Sequence, residues 1–527
     1  MSVCVLGLLL AGCNGNAPGR GGDGGGGGGG GDGGGGGGGG PTATHDVVDP
    51  SLPMGIVGGF DGVTPAAGAL AIAYPNAGAT LPHDLAPIDV QWTPPPGLGA
   101  YRVTFAVDTG DRLRGYVPKP DFIPSATDWQ WLLDRAAGHT ITLTVAGGVA
   151  DATGAIAAGA VTSPGQPLLV SHDDATGALF YFATTGDQLT GDGTLERLEL
   201  GSQKPDKYLN KSNDGGRCVG CHALARDGSR VAFSFLDIGG TGAQLSLGSV
   251  DATNPTAQQA AAGNPVAQSV FNADGSKLIT SFQGKLQLRD GTSGAKIADI
   301  VTSGPALYPD WSPDGQKIVF VKPDAACAAG LFNFGQDSIF VYGGSLVTMT
   351  VNGNTFANEL VVLQASAGEN NYYPSWSPDG SYLAFTRADA TTKSSWGMAN
   401  SACNGKDGSG VSYDNPSATT WLLPTGAGST PFALTAANGA PMLTNSWPKW
   451  GPKADGEYLW LSFSSTRPYG NVLTGANAHH QLWITAVKKG TELSDLSAPA
   501  VWFPFQDTAT KNHIGLWSVK VGDYSIQ

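Results

Sequence analysis

The sequence predicts an all-β protein, in which a small β-sandwich precedes a six-bladed β-propeller. Two observations predict the propeller: a strand–turn–strand unit recurs along the second half of the chain, and each copy is centred on an Asp-Gly turn. The turns begin at Asp227, Asp274, Asp314, Asp379 and Asp455, at intervals of 47, 40, 65 and 76 residues. Strand repeats with a period near 40 residues are typical of propeller blades.

The repeats assign residues 166–527 to the propeller domain. Five copies are evident, and the segments Leu169–Phe182 and HIGLWSVKV near the C-terminus are expected to supply or close a further blade. Six blades are therefore predicted, with seven as the alternative.

The form Trp-Ser-Pro-Asp-Gly occurs twice, beginning at Trp311 and at Trp376. It resembles the repeat of TolB-like six-bladed propellers, and the resemblance covers about two-thirds of the chain. It implies a scaffold or binding propeller for an envelope protein, peptide or glycan.

Residues 50–165 are expected to form the sandwich, because short runs of alternating apolar residues are separated by turn-rich text. The stretch IDVQWTPPPGLGAYRVTF resembles the tryptophan-bearing hairpin of fibronectin type III and other immunoglobulin-like modules. We interpret this domain as a spacer or binding module. Trp129 and Trp131 are candidates for a ligand platform, although core packing is the stronger interpretation.

The N-terminus predicts export. An apolar run over residues 3–10 leads into Leu10-Ala11-Gly12-Cys13, which resembles the lipobox of bacterial lipoproteins and implies a diacylated Cys13. No basic residue precedes the run, and a plain secretory signal is the alternative. Residues 14–49, dominated by glycine, would then act as a disordered tether at the cell envelope, with the outer membrane or cell surface as the expected location.

Composition restricts the partners. The formal net charge of −14 and the pI of about 4.9 argue against nucleic acid and anionic lipid surfaces. No apolar run approaches the roughly 18 residues of a spanning helix. We expect a monomer that contacts the membrane through its lipid anchor only, with an envelope protein or redox partner.

The stretch Cys218-Val219-Gly220-Cys221-His222 has the Cys-x-x-Cys-His spacing of a c-type haem attachment site. Two thiols at this spacing can form thioethers with the two vinyl groups of one haem, and the adjacent imidazole can bind the iron as the proximal ligand. The alternatives are a disulfide or redox pair, or a zinc site, for which no fourth ligand follows nearby.

If each repeat supplies the two inner strands of a blade, His222 lies at the start of an innermost strand and the haem sits at the mouth of the channel. His513 is the favoured distal ligand, because ring closure brings the C-terminus beside the first blade. The other candidates are His479, His480, Met398 and Met442, and a five-coordinate iron is a further alternative.

Three long insertions follow the second strands of their blades, at residues 323–336, 388–416 and 466–480, and are expected over the same face. Two of them carry Cys327 and Cys403, which we expect to form a disulfide in an exported protein.

The function predicted from these features is electron transfer or haem-based ligand sensing by one covalent haem c. The alternative is a non-redox binding propeller. An enzymatic function ranks last, because the chain has no Gly-x-Ser-x-Gly or His-Glu-x-x-His motif. Peroxidase-type activity on an open haem iron is the enzymatic function that fits the sequence best. The Asp-Gly turns are interpreted as structural rather than as calcium sites.

Overall fold

A computed structural model describes residues 42–185, 193–210, 218–237, 242–249, 258–259, 266, 268–324, 341–392, 415–490 and 495–519. Within these ranges β-strands account for nearly all regular structure, which confirms the predicted all-β class. None of the helices in this part of the chain is both long enough and apolar enough to span a membrane.

The N-terminal domain combines an eight-stranded sheet with a three-stranded sheet. Its strands are Thr44–Val48 (β1), Ala66–Ala67 (β2), Ala71–Tyr74 (β3), Thr80–Leu81 (β4), Val90–Thr93 (β5), Ala100–Val107 (β6), Arg112–Val117 (β7), Asp121–Phe122 (β8), Thr140–Gly148 (β9), Val161–Thr162 (β10) and Gln166–Val170 (β11). The domain also contains two helices, Ile56–Asp61 (α1) and Ala126–Ala136 (α2).

The bounds and topology of this domain differ from the sandwich expected over residues 50–165. β1 and β11 extend the domain on both sides, because they pair with β7 and β9 of the large sheet. The pairs β1–β7 and β2–β10 are parallel, whereas a fibronectin type III or immunoglobulin-like sandwich is built of antiparallel sheets.

The two tryptophans of α2 have different surroundings. Trp129 is buried in the core, and its indole Nε1 donates a hydrogen bond to the carbonyl oxygen of Leu85 at 2.8 Å. Trp131 is half-buried beneath the guanidinium of Arg135, whose Cζ lies 4.2 Å from the ring centroid. The core interpretation is therefore confirmed for Trp129.

Six four-stranded sheets follow, and they form the blades of a propeller. Blade 1 contains Ala178–Thr184 (β12), Gly193–Glu199 (β13) and Asp206–Leu209 (β14); blade 2 contains Cys218–Leu224 (β15), Arg230–Asp237 (β16), Gly242–Ser249 (β17) and Gln258–Gln259 (β18); blade 3 contains Gln268–Phe271 (β19), Lys277–Phe282 (β20), Lys285–Asp290 (β21) and Lys296–Ile300 (β22); blade 4 contains Leu307–Trp311 (β23), Lys317–Lys322 (β24), Ser345–Asn352 (β25) and Thr355–Leu363 (β26); blade 5 contains Glu369–Trp376 (β27), Tyr382–Asp389 (β28), Thr419–Pro424 (β29) and Phe432–Ala433 (β30); blade 6 contains Ser446–Trp450 (β31), Tyr458–Ser465 (β32), Gln481–Lys488 (β33) and Val501–Trp502 (β34). Two short helices in the described part of the propeller, Thr435–Asn438 (α3) and the 3₁₀ helix Gly475–Asn477, lie between strands.

The ring closes with strands from both ends of the domain. The last strand, Lys511–Ser518 (β35), pairs with β12 and is the innermost strand of blade 1. The innermost strands β15, β19, β23, β27, β31 and β35 contact one another in turn around the ring. The prediction of six blades closed by the C-terminal segment is therefore confirmed.

The Asp-Gly turns connect the first and second strands of their blades, as predicted. The glycines that follow Asp227, Asp274, Asp314 and Asp379 have φ between 68° and 76°, a conformation that glycine adopts without strain. In each turn the Asp Oδ1 accepts a hydrogen bond from the backbone N–H two residues later, at 2.9–3.1 Å. These carboxylates therefore stabilise their own turns, which supports the structural interpretation over a calcium site.

The insertion at residues 466–480 contacts the N-terminal domain. The backbone N–H of Asn471 donates to Gln91 Oε1 at 2.7 Å, and its side chain donates to the carbonyl oxygen of Trp92. Tyr469 stacks on Trp502 of blade 6, with ring centroids 3.9 Å apart. One hydrophobic core continues from the N-terminal domain into blade 6, so the two domains are firmly joined.

The ring closure can be tested at Gly177, which precedes β12 and has a φ of 100°. A Cβ atom at this position would overlap the carbonyl oxygen of Ser518, the last residue of β35. Gly428 is a matched control, because its φ is 73° and no atom lies within 4 Å of a Cβ built there. We expect Gly428→Ala to cost about 1–2 kcal/mol of unfolding free energy through its backbone conformation, and Gly177→Ala to cost about 1–3 kcal/mol more through the overlap. Urea denaturation measures both losses, and equal losses would contradict this account of the closure.

Candidate functional site

The candidate site lies in the central channel and is built by an irregularity shared by the innermost strands. β15, β23, β27, β31 and β35 each carry one extra residue relative to the strand beside them, whereas β19 does not. In four of these bulges the first residue has a positive φ without being glycine: Tyr308 (51°), Tyr373 (48°), Trp447 (60°) and Ile514 (55°). In the bulge of β15 the corresponding residues are Gly220 and Cys221. Part of the Cys-x-x-Cys-His motif therefore lies on a structural feature of the blade repeat.

Three bulge residues form an aromatic cluster, which we define as Tyr308, Tyr373 and Trp447. Tyr373 and Trp447 stack with ring centroids 3.9 Å apart and an interplanar angle of 10°. Tyr308 meets Tyr373 edge-on, at a centroid distance of 4.6 Å. The cluster lines a cavity of ≈ 380 Å³ in the channel, a volume that is ordinary for a small-molecule site.

The first residue after each bulge also lines the cavity, and its identity changes from blade to blade. These residues are His222, Asp310, Ser375, Lys449 and Leu516. The tryptophans and prolines beside this position recur in several blades. The blades therefore differ chemically at the first residue after the bulge.

His222 lies inside β15 and in the wall of the cavity, not at the start of the strand at the mouth of the channel as predicted. β15 already pairs with β16 from Cys218 onward, which places His222 within the strand. The side chain of His222 is 6% exposed, and its Nε2 lies 3.3 Å from the carbonyl oxygen of Phe180 in β12. Burial lowers the pKa of His222 to about 4, and the backbone groups of Phe180 and Ile514 partly offset this shift. The imidazole is therefore neutral at pH 7.

A charged cluster, which we define as Arg226, Asp310 and Lys449, lies in the same cavity. Arg226 extends from the turn after β15 across the channel, where its Nη2 donates to the carbonyl oxygens of Trp311 and Trp376 at 3.1 and 3.2 Å. The same nitrogen lies 3.5 Å from Asp310 Oδ2, which accepts the backbone N–H of Trp376 at 2.7 Å. Burial lowers the pKa of Lys449, and Asp310 opposes this shift.

This charged cluster was not predicted from the sequence. The third residue of Tyr-Pro-Asp-Trp, Tyr-Pro-Ser-Trp and Trp-Pro-Lys-Trp varies while the residues around it are maintained. That contrast was the available signal for Asp310, Ser375 and Lys449.

The three histidines considered as distal ligands lie together, at the starts of β33 and β35. The ring centroids of His480 and His513 are 4.5 Å apart, and both side chains are buried. Burial and the neighbouring His480, Lys511 and His479 hold the pKa of His513 well below its usual range. The charged group that acts on the pKa of His222 is instead Lys449. The structure thus groups His513 with His480, and His222 with the cavity.

The remaining predicted site residues lie largely outside the described part of the chain. Cys218 and Cys221 have a described backbone in β15, but their side chains do not belong to the described residues. Four further predicted site residues lie entirely outside the described residues: Cys13, Cys327, Cys403 and Met398. Met442 is 59% exposed. Among the residues described, no three His, Cys, Asp or Glu side chains form a group that would hold a metal ion.

Neither a protein-family model nor a curated protein matches this chain. Similar solved structures include TolB from Acinetobacter baumannii, with 11% identity over 75% of this chain and 85% of that chain and a TM-score of 0.39. The β-propeller domain of the Trilobed protease from Pyrococcus furiosus has 12% identity over 59% and 82%, with a TM-score of 0.32. Kuenenia stuttgartiensis hydrazine synthase has 14% identity over 52% and 70%, with a TM-score of 0.33. Likenesses this distant carry no argument about function, and the propeller is established by the order of the sheets.

The burial of His222 gives a pH dependence that can be measured on the chain produced without haem maturation. As the pH falls from 6.5 to about 4, the unfolded chain binds a proton at this residue before the folded chain does, so unfolding becomes more favourable. We expect His222→Gln to remove up to about 3 kcal/mol of the stability lost over this range. The measurement is the urea-unfolding free energy at pH 7.0 and pH 4.5.

His139→Gln is the control for this experiment, since it removes an imidazole whose side chain is 44% exposed. An acid-induced loss that is the same in His222→Gln and in the parent chain would contradict the buried, neutral state of His222.

Proposed function

We propose that this chain is an envelope-anchored β-propeller that carries one haem c, bound through Cys218 and Cys221 with His222 as the proximal ligand. Its function would be electron transfer or haem-based ligand sensing. The environment of His222 is the observation that carries the proposal. The blade repeat does not require an imidazole after the bulge, yet here one is buried in the wall of the cavity with one ring nitrogen held by a carbonyl oxygen.

His222 has the properties that a metal-ligating histidine needs. It is neutral, and Nε2 can donate its proton to Phe180, the arrangement that usually orients a ligating imidazole. Nδ1 has no hydrogen-bond partner among the described residues, although the backbone of Ile514 is near enough to affect the pKa. The imidazole therefore fits the group, while the thioether bonds are inferred from the sequence motif.

The channel would supply the surroundings. A bound haem c provides a one-electron couple whose potential depends on its axial ligands and burial. The aromatic cluster would exclude water from one side of the cavity, and Arg226 and Lys449 place positive charge beside it. His513 contacts His480. We therefore assign no described side chain as a second ligand of the iron.

A binding propeller without haem is the second candidate. The cavity itself favours it, because an aromatic wall beside a few convergent charged groups is typical of ligand sites in general. This version needs neither Cys218 nor Cys221, so the two candidates differ in a single measurable property.

Covalent haem is tested by a pyridine haemochrome spectrum of protein expressed with c-type maturation genes. We expect an α-band that stays with the denatured chain, because thioether bonds survive unfolding. Cys218→Ser/Cys221→Ser should abolish the band. The double variant Cys327→Ser/Cys403→Ser is the matched control, since it removes two cysteines outside the motif and should keep the band.

A colourless wild-type protein would overturn the haem proposal and leave the binding propeller. A band that persists in Cys218→Ser/Cys221→Ser would also overturn it, because the haem would then be attached elsewhere.

The lipid anchor is a separate part of the proposal. We expect cells that express the full chain to incorporate labelled palmitate into it, and Cys13→Ser to abolish the label, because the lipobox-like sequence ends at that cysteine. Cys4→Ser is the matched control, since Cys4 lies within the apolar run. Label retained in Cys13→Ser would favour the plain secretory signal.

A further inference from the structure

The charged cluster of the channel has more positive than negative charge. Arg226 and Lys449 both face Asp310, which is the one buried carboxylate among the described residues that line the cavity. Asp227 also borders the cavity, but it is exposed and its Oδ1 accepts the backbone N–H and the hydroxyl of Ser229. Within the charged cluster, two cations therefore share one carboxylate.

Two cations that share one carboxylate in this position are costly unless another anion joins them. Lys449 is partly buried, and its loss of contact with water destabilises its charged form. Arg226 is half-buried, with 30% of its side chain exposed. Its Nη2 already donates hydrogen bonds to two carbonyl oxygens. A carboxylate is the anion that both side chains bind well, since it accepts charge-assisted hydrogen bonds from each of them.

The wall beside the cations has a defined shape. Tyr373 and Trp447 lie nearly parallel, and Trp447 retains some exposure. Tyr308 packs edge-on against Tyr373 and both tyrosines are buried, so Trp447 is the member of the aromatic cluster that keeps exposed apolar surface at the cavity. A planar ring gains contact area on such a surface.

We propose that Arg226 and Lys449 form a carboxylate-binding site in the channel, and that the aromatic cluster receives the planar body of the ligand. Two sources share this chemistry: a free aromatic carboxylate, or a propionate of a covalently bound haem. Only the second source rests on the proposed haem function.

Benzoate is the probe, benzamide is its neutral counterpart, and isothermal titration calorimetry of the full chain is the measurement. In the haem-free chain we expect benzoate to bind at least tenfold more tightly than benzamide. Lys449→Met, which keeps a long unbranched side chain without the charge, should weaken benzoate at least tenfold and leave benzamide unchanged. Asp310→Asn should strengthen benzoate severalfold, because it removes the competing carboxylate.

Lys488→Met is the matched control, since Lys488 pairs with Glu457 at the surface and should leave both affinities unchanged. Circular dichroism establishes that each variant is folded. If Lys449→Met fails this check, Asp310→Asn decides the question by the direction of its effect.

Repeating the titration on haem-loaded protein separates the two sources. Benzoate binding in both forms supports a free carboxylate, and binding that is lost on haem loading supports the propionate. If the chain never takes up haem, the haem-free titration still tests the site. Equal affinity for benzoate and benzamide, or no benzoate binding to the haem-free chain, would overturn the proposal.

Discussion

The pairing of β35 with β12 is the constraint on which the rest of the propeller depends. Blade 1 takes three strands from the start of the domain and its innermost strand from the end, so the ring closes only when the whole domain is in place. The closure reaches the candidate site directly. Phe180, which accepts from His222, lies in β12, and Ile514 of β35 contributes its backbone to the same imidazole. The Cys-x-x-Cys-His strand is therefore packed against the closing blade, and its environment exists only in the complete ring.

The bulges are the second constraint, and they oppose local preference. A left-handed conformation at a bulky residue costs about 1–2 kcal/mol, yet Tyr308, Tyr373, Trp447 and Ile514 all adopt it. The cost recurs at the same place in neighbouring blades because each bulge turns a large side chain into the channel, where three of the four pack on one another. Trp450 adds a connection between blades, since its Nε1 donates to the carbonyl oxygen of Ser375 at 3.1 Å. The channel wall is thus stabilised by contacts between blades that offset the backbone cost within them.

The difference between features set within one blade and features set by contacts between blades explains what the sequence could predict. The Asp-Gly turns are local chemistry, readable from a few residues, and they located the inner hairpins of the blades. The closure could be predicted because unpaired strand-like segments remained at both ends of the domain. The bulges could not, because a positive φ at tyrosine or tryptophan contradicts residue preference and appears only when the blades are assembled. Arg226 was missed for a related reason: its partners Trp311 and Trp376 are 85 and 150 residues away along the chain. His222 was placed at the start of its strand because no sequence pattern showed that pairing begins at Cys218. Cys218 and Cys221 were selected by spacing alone.

A repeated blade gives the channel a nearly symmetric wall, and a symmetric wall cannot orient a ligand. The asymmetry must come from positions where the copies differ. After the bulges these are an imidazole, a carboxylate, a hydroxyl, an ammonium and an apolar side chain, at His222, Asp310, Ser375, Lys449 and Leu516. Packing does not select such a set, because residues with equivalent structural roles would converge on one size and polarity. Five chemically distinct side chains after the bulges instead indicate that the bulges present side chains to the channel. The repeated strands around the bulges hold these side chains in place. The function of this chain is therefore to be sought at these five positions rather than in the residues that define its blades.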